Sequence, residues 1–133
     1  MNSTIHNNFT ISAEYTGSKP APADGSNYNH SFLTIRNNEN NQEAVFDAWA
    51  SPDHVWISTN EDLMTAFFGI VMEANLGMNN FGDYCSAIGF DEDDPKSKES
   101  WKICRMVYSK FVNVSGYDDN ELSVFLEELE EMM

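Results

Sequence analysis

The sequence predicts an α+β fold: an N-terminal three-stranded antiparallel sheet packed against three to four helices. Three observations carry this. Apolar and polar residues alternate over most of the first fifty positions, the apolar period lengthens to the helical one from Thr59, and Gly, Pro, Asn and Asp clusters divide the chain at short intervals. At 133 residues, 41% hydrophobic and 13% aromatic, the chain fits one domain with a real core and is short for two. The expectation is a single domain over 1–133, β-rich over 5–50 and helical over 59–131.

Phe9 to Tyr15 alternates as a half-buried strand does. Gly17 to Asn29 has the Gly, Pro, Ser and Asn content of an exposed loop. Phe32 to Arg36 gives a second strand, Asn37 to Asn41 a turn, and Glu43 to Trp49 a third strand. Connections this short favour antiparallel neighbours, hence a meander.

Thr59 with Asp62 three residues on forms a capping box that opens a helix. Leu63, Ala66, Phe67, Ile70, Val71 and Ala74 then follow at helical spacing, and Gly77 offers a left-handed stop. Met64, Phe68 and Met72 draw a second apolar line on that helix, read as core or else as a partner surface. Asn80 caps a short helix through Phe81, Tyr84, Cys85 and Ile88, closed by Gly89, after which Phe90 turns inward.

The run Gly89-Phe-Asp-Glu-Asp-Asp-Pro95 poses a choice between a metal site and a helix start. Asp94 and Pro95 suit N-cap and N1 of a helix reaching about Val112, because proline's missing N–H had no intrahelical partner there. Asp91, Glu92 and Asp93 lie just outside, where the helix dipole favours negative charge by ~0.3–1 kcal/mol each. A calcium loop beginning at Asp91 would need Gly at its sixth position and Glu at its twelfth, where the chain has Lys96 and Lys102. Two carboxylates, Asp91 and Asp93, suffice for a hydrated magnesium ion, but no phosphate-binding loop stands nearby. Helix initiation is the stronger reading, and no metal or other cofactor is expected. On the same helix Trp101, Cys104, Tyr108 and Phe111 share one face, while Lys98, Lys102 and Arg105 share another.

The segment Phe81-Gly-Asp-Tyr84-Cys85-Ser-Ala-Ile-Gly89-Phe90-Asp91-Glu-Asp93-Asp94-Pro-Lys96, continuing to Trp101 and Cys104, resembles a block found in small acidic proteins of phages, plasmids and other bacterial mobile elements. The block runs F-x-x-aromatic-C-x-x-x-G-aromatic-D-x-D-x-x-K, then an aromatic and a cysteine three residues later. Phe9 to Gly17 is similar to how such proteins begin, and together the match spans about two thirds of the chain. Pro95 departs from the polar residue of the pattern. The resemblance implies an origin rather than an activity. Small mobile-element proteins of this kind are often inhibitors of host defence, anti-restriction and anti-CRISPR proteins among them.

Net charge is −15, from 22 acids against 7 bases. Phosphate contacts need clustered cations, so direct binding to nucleic acid or an anionic membrane is disfavoured. The charge either serves solubility alone or presents to a basic surface what a nucleic acid would present. The C-terminal segment sharpens this. Leu122, Phe125, Leu126 and Leu129 form an amphipathic stripe, and between Asp118 and Glu131 stand seven acids and no base. Asp118 and Asp119 suit a helix start. Glu127, Glu128, Glu130 and Glu131 crowd the last turns, where the dipole favours cations and like charges repel by ~0.2–0.5 kcal/mol per pair. Either Lys98, Lys102 and Arg105 offset them internally, or a basic partner does. Fourteen helical residues span roughly 21 Å, over which one DNA strand carries about six phosphates. Seven carboxylates are comparable in number.

Cys85 and Cys104 are too far apart for a CxxC site, and both sit at apolar-facing positions, which predicts reduced core thiols. His6, His30 and His54 fall in expected termini and loops without a catalytic pattern; His54, between Asp53 and Trp56, is the one acid–base candidate. MNSTIHNNFT lacks the basic and apolar regions of a signal peptide, so the sequons at Asn2, Asn8, Asn29 and Asn113 are read as accidents of a cytoplasmic chain. The expectation is a non-enzymatic accessory protein of a phage or mobile element, acting in the host cytoplasm. It would be a stoichiometric inhibitor of a nucleic-acid-targeting defence complex, with Asp91, Glu92, Asp93, Asp94, Glu127, Glu128, Glu130 and Glu131 on the partner's basic surface. The alternatives are an assembly protein that forms a homo-oligomer through Met64, Phe68 and Met72, and, third, a metal-dependent enzyme at Asp91 and Asp93.

Overall fold

A computed structural model of the chain describes residues 2–22, 25–51 and 59–132. The fold is α+β, a four-stranded antiparallel sheet in the order β1-β2-β3-β4 followed by four helices. The strands are β1 (Asn2–His6), β2 (Phe9–Pro20), β3 (Asn27–Asn37) and β4 (Glu43–Ala50); the helices are α1 (Asn60–Leu76), α2 (Phe81–Ile88), α3 (Pro95–Ser115) and α4 (Asp119–Met132). Two compact units divide the chain, Met1–Ile70 and Val71–Met133, with the boundary inside α1.

In the first unit the sheet buries one face. Phe9, Ile11 and Ala13 of β2, Leu33 and Ile35 of β3, and Phe46 and Ala48 of β4 line it. Register places them side by side, with Ile11 opposite Ile35 and Leu33 opposite Phe46. Helix α1 buries Leu63, Ala66, Phe67 and Ile70 and sets Phe67 against this face, the Phe9 and Phe67 rings standing 5.9 Å apart. The box that opens α1 is reciprocal: Asp62 N–H donates to Thr59 Oγ1 at 3.1 Å and Thr59 N–H to Asp62 Oδ2 at 3.3 Å. The turn at Asn37 to Asn41 closes on Asn41, whose φ of 61° suits asparagine.

The sheet has one strand more than the three expected. β1 is short and leaves Ile5 exposed, so its period is faint; the cue is the Asn7-Asn8 turn, with Asn7 at φ 52°. The expected loop from Gly17 to Asn29 is mostly strand. β2 runs on to Pro20 and pairs Ser18, Lys19 and Pro20 with Asn29, Tyr28 and Asn27. β1 pairs with β2 only up to Ala13, so beyond it β2 has no β1 neighbour and a proline costs no ladder bond on that side. Thr16 is the unpaired residue of a bulge between Tyr15 and Gly17, and Gly17 takes φ 108°. Loop-like composition here marks an exposed hairpin arm.

In the second unit, Tyr84, Cys85 and Cys104 form a buried cluster with Leu76, Phe81, Ile88 and Trp101 packed around it. Phe111 of α3 stacks on Phe125 of α4, which also buries Leu122, Leu126 and Leu129. Two expectations fail in this unit. Phe90 is 45% exposed, its ring edge against Tyr84, because the left-handed Gly89 turns the chain outward at the end of α2. Gly77 follows α1 but is not left-handed: its role is close approach, since a Cβ there would lie 2.1 Å from the Cys104 carbonyl oxygen and 2.9 Å from Tyr108 Cβ. The missing side chain lets α3 pass, and Arg105 Nη1 donates to the Gly77 carbonyl at 2.9 Å.

Gly77→Ala must therefore displace backbone, and it is expected to destabilise the protein by about 3 kcal/mol or more in urea unfolding. Gly69→Ala, within α1 and facing open space, is expected to stabilise by about 0.5–1 kcal/mol. Equal effects at the two sites would contradict the close approach.

Candidate functional site

The acidic run is first a helix start. Asp94 caps α3, accepting from Lys96 N–H at 2.9 Å, with Pro95 at the first helical position. Asp91 Oδ1 accepts from Asp93 N–H at 2.9 Å. All four acids, Asp91, Glu92, Asp93 and Asp94, are exposed. Their arrangement is what the dipole of a 21-residue helix dictates, and the helix then runs to Ser115 and a left-handed Gly116.

α4 opens on a second reciprocal box. Glu121 N–H donates to Asp118 Oδ1 at 2.8 Å and Asp118 N–H to Glu121 Oε1 at 3.1 Å. The apolar stripe is buried as its spacing requires, so the remaining positions turn outward. Glu127, Glu128, Glu130 and Glu131 are all exposed, and the last turn of α4 holds no base. No hydrogen bond or ion pair among the described residues links these glutamates to the Asp91–Asp94 run.

Lys98, Lys102 and Arg105 do not neutralise the glutamates either. Among the described residues the ion pairs are His30 with Asp47 and Arg36 with Glu43, both in the first unit. Two of the α3 cations lie over aromatic rings instead: Lys98 Nζ is 4.7 Å from the Phe81 centroid and 5.3 Å from Trp101, and the Arg105 guanidinium is 5.5 Å from Tyr108. Each acidic surface is thus exposed to solvent without an ion pair among the described residues.

The remaining sequence candidates take their places around this. Leu63, Ala66, Phe67, Ile70, Val71 and Ala74 are buried; of the second line on α1, Met64 and Phe68 are half-buried and Met72 is 42% exposed. Among the described residues no three of His, Cys, Asp and Glu are grouped to hold a metal ion, Asp91 and Asp93 included. His54, with Asp53 and Trp56, lies outside the described residues. Cys85 and Cys104 are buried, and burial pushes both thiols up, with Glu92 and Asp91 adding to the effect at Cys85. A raised thiol is a poor nucleophile at neutral pH. Tyr84, whose hydroxyl accepts from Cys104 Sγ at 3.9 Å, is also pushed up by burial.

One constellation escaped the sequence. His30 is a buried strand residue rather than a loop one: its Nε2 lies 2.7 Å from Asp47 Oδ1 and its Nδ1 2.5 Å from Thr16 Oγ1. The order hydroxyl–imidazole–carboxylate is that of a nucleophilic triad. Burial runs the wrong way for one, because the imidazole is 2% exposed, walled by Phe32 and Trp49, while the Asp47 side chain is 54% exposed. The arrangement is a clasp across β2, β3 and β4 that fixes the bulged Thr16. The available signal was period two: His30, Phe32, Thr34 and Arg36 alternate onto one face once β3 is extended upstream.

Comparison with protein-family models, with curated proteins and with solved structures finds no match.

The raised thiols and Tyr84 fix an alkaline limit. An unfolded chain loses its thiol protons from about pH 9, while the folded chain retains them, so the unfolded state binds fewer protons and stability falls as pH rises. Urea midpoints are expected to decline from about pH 8.5 to 10, and less steeply in Cys85→Ala. A midpoint that is flat or rises over that window would contradict the burial of these groups.

Proposed function

We propose that this protein binds stoichiometrically to the basic nucleic-acid-binding surface of a bacterial defence complex and inhibits it. On this reading it is an accessory protein of a phage or mobile element acting in the host cytoplasm, and the binding itself is the activity. The observation that carries the proposal is the fate of the eight predicted contact acids. Asp91, Glu92, Asp93, Asp94, Glu127, Glu128, Glu130 and Glu131 are all exposed, and none forms an ion pair with a base among the described residues.

The supporting physics concerns α4. A solvated helix gains from cations near its C-terminus, and this one carries four glutamates there instead, at a local cost from the dipole and from mutual repulsion. A basic groove removes that cost and gains from it, since desolvating a nucleic-acid channel requires a replacement anion. Four glutamates turn outward over the last turns of α4, while the carboxylates of its start are held by hydrogen bonds. The resemblance of the Phe81–Lys96 block to mobile-element proteins, which are often inhibitors of host defence, supports a defence complex as the target. Among the described residues no helix is long and apolar enough to cross a membrane, which is consistent with a partner met in solution.

A second reading, an assembly protein joined through α1, has one observation in its favour, the exposure of Met72. Salt separates the two, because contact with a basic groove weakens as ions screen it while an apolar contact persists.

Affinity capture from the bacterial host is the test, comparing the protein with E127Q/E128Q/E130Q/E131Q. The expected result is a partner retained by the protein, released by raised salt, and bound on the order of tenfold more weakly by the variant. Equal recovery by both removes α4 from the interface, and recovery insensitive to salt favours the assembly reading.

A further inference from the structure

Five of the seven basic residues of the chain lie in α3, and three of them, Lys98, Lys102 and Arg105, form an exposed strip with no ion pair to a carboxylate among the described residues. Lys98, Trp101, Arg105 and Tyr108 recur at offsets of three, seven and ten, a single line along a helix, with Lys102 beside it. The rings hold the cations in place: Lys98 lies over Phe81 and Trp101, Arg105 over Trp101 and Tyr108, and Arg105 is further fixed by the Gly77 carbonyl. Cation–π contact leaves the positive charge uncancelled, so the strip still attracts an anion.

Its complement is in the same unit. Glu127, Glu128, Glu130 and Glu131 turn outward from α4, and Leu122, Phe125, Leu126 and Leu129 hold that face fixed by their burial. The two lines are commensurate: Lys98 to Arg105 covers about 10 Å of helix and Glu127 to Glu131 about 6 Å. No ion pair joins them within one molecule among the described residues. Two complementary lines that do not meet inside a molecule can meet between molecules.

We infer that the α3 strip is a docking surface for a second copy of this chain, whose α4 glutamates lie on Lys98, Lys102 and Arg105. A two-fold axis makes the contact twice, since each protomer offers both lines. The net charge of −15 on each protomer opposes association, but at physiological salt charges more than about 8 Å apart are largely screened, while the opposed strips are in contact. Exposed ion pairs are individually weak, so the dimer is weak, with a dissociation constant on the order of 0.1 mM. The inference stands apart from the proposed function. Where both hold, the dimer covers the carboxylates that a basic target needs, and the target displaces the second copy.

Sedimentation tests this with the protein itself at about 0.2 mM, in about 150 mM and about 500 mM NaCl, alongside two variants. K98E/K102E/R105E makes both lines acidic, and E127K/E128K/E130K/E131K makes both basic. The protein is expected to dimerise at low salt and dissociate at high salt. Each variant alone is expected to be monomeric, and an equal mixture to form a heterodimer about as tight as the parent dimer, because both contacts are complementary again. A parent monomeric at low salt, a dimer that survives high salt, or a mixture of folded variants that stays monomeric would each overturn the inference. Far-UV circular dichroism checks folding, and the single exchanges K102E and E128K repeat the mixing test should a multiple variant fail to fold.

Discussion

With 22 carboxylates and 7 bases, this chain cannot neutralise its acids by pairing them all, so most must find a backbone N–H or face water. That constraint organises the helices. Asp62 and Asp118 take part in reciprocal boxes, Asn80 caps α2 and holds Asp83, and Asp94 caps α3 with Asp91 braced behind it. Each placement puts negative charge where four backbone donors are unpaired and the dipole is positive. The starts of all four helices thus absorb acids at a gain. The C-terminal turns of α4 cannot do so, and there the carboxylates face water.

The cations are too few to balance the acids and are used otherwise. Two α3 bases, Lys98 and Arg105, are set over Phe81, Trp101 and Tyr108, and their stems cover aromatic surface that would otherwise be wet. In the first unit, Asp47 is spent on the buried His30, and the clasp with Thr16 ties the bulged strand to its neighbours. Ser31, on the opposite side of the same strand, carries a buried hydroxyl without a partner among the described residues, a local cost.

What could be read beforehand was what is local. Thr59 with Asp62, Asn80 with Gly89, and Asp94 with Pro95 locate three helices because capping chemistry acts over three or four residues. The stripe from Leu122 to Leu129 is buried as its spacing requires. What escaped depended on distant chain. Pro20 and Gly17 look like loop residues until β3 is seen to pair with them, and His30 looks like a loop histidine until the extended strand puts it between Thr16 and Asp47. Gly77 reads as a left-handed stop, whereas the close passage of Cys104 is what excludes a side chain there. The candidate site was legible as a charge pattern. Its lack of internal counterions was not, because the choice of Lys98 and Arg105 between glutamates and rings is made by packing.

The functional reading rests on that choice: anionic surface left without a counter-charge of its own. Thermal unfolding as a function of NaCl interrogates it directly. Screening relieves repulsion among unpaired like charges but weakens ion pairs, so the melting temperature is predicted to rise as NaCl increases from about 10 to 300 mM. A melting temperature that falls over that range would mean the glutamates are held by internal cations, and would contradict the account.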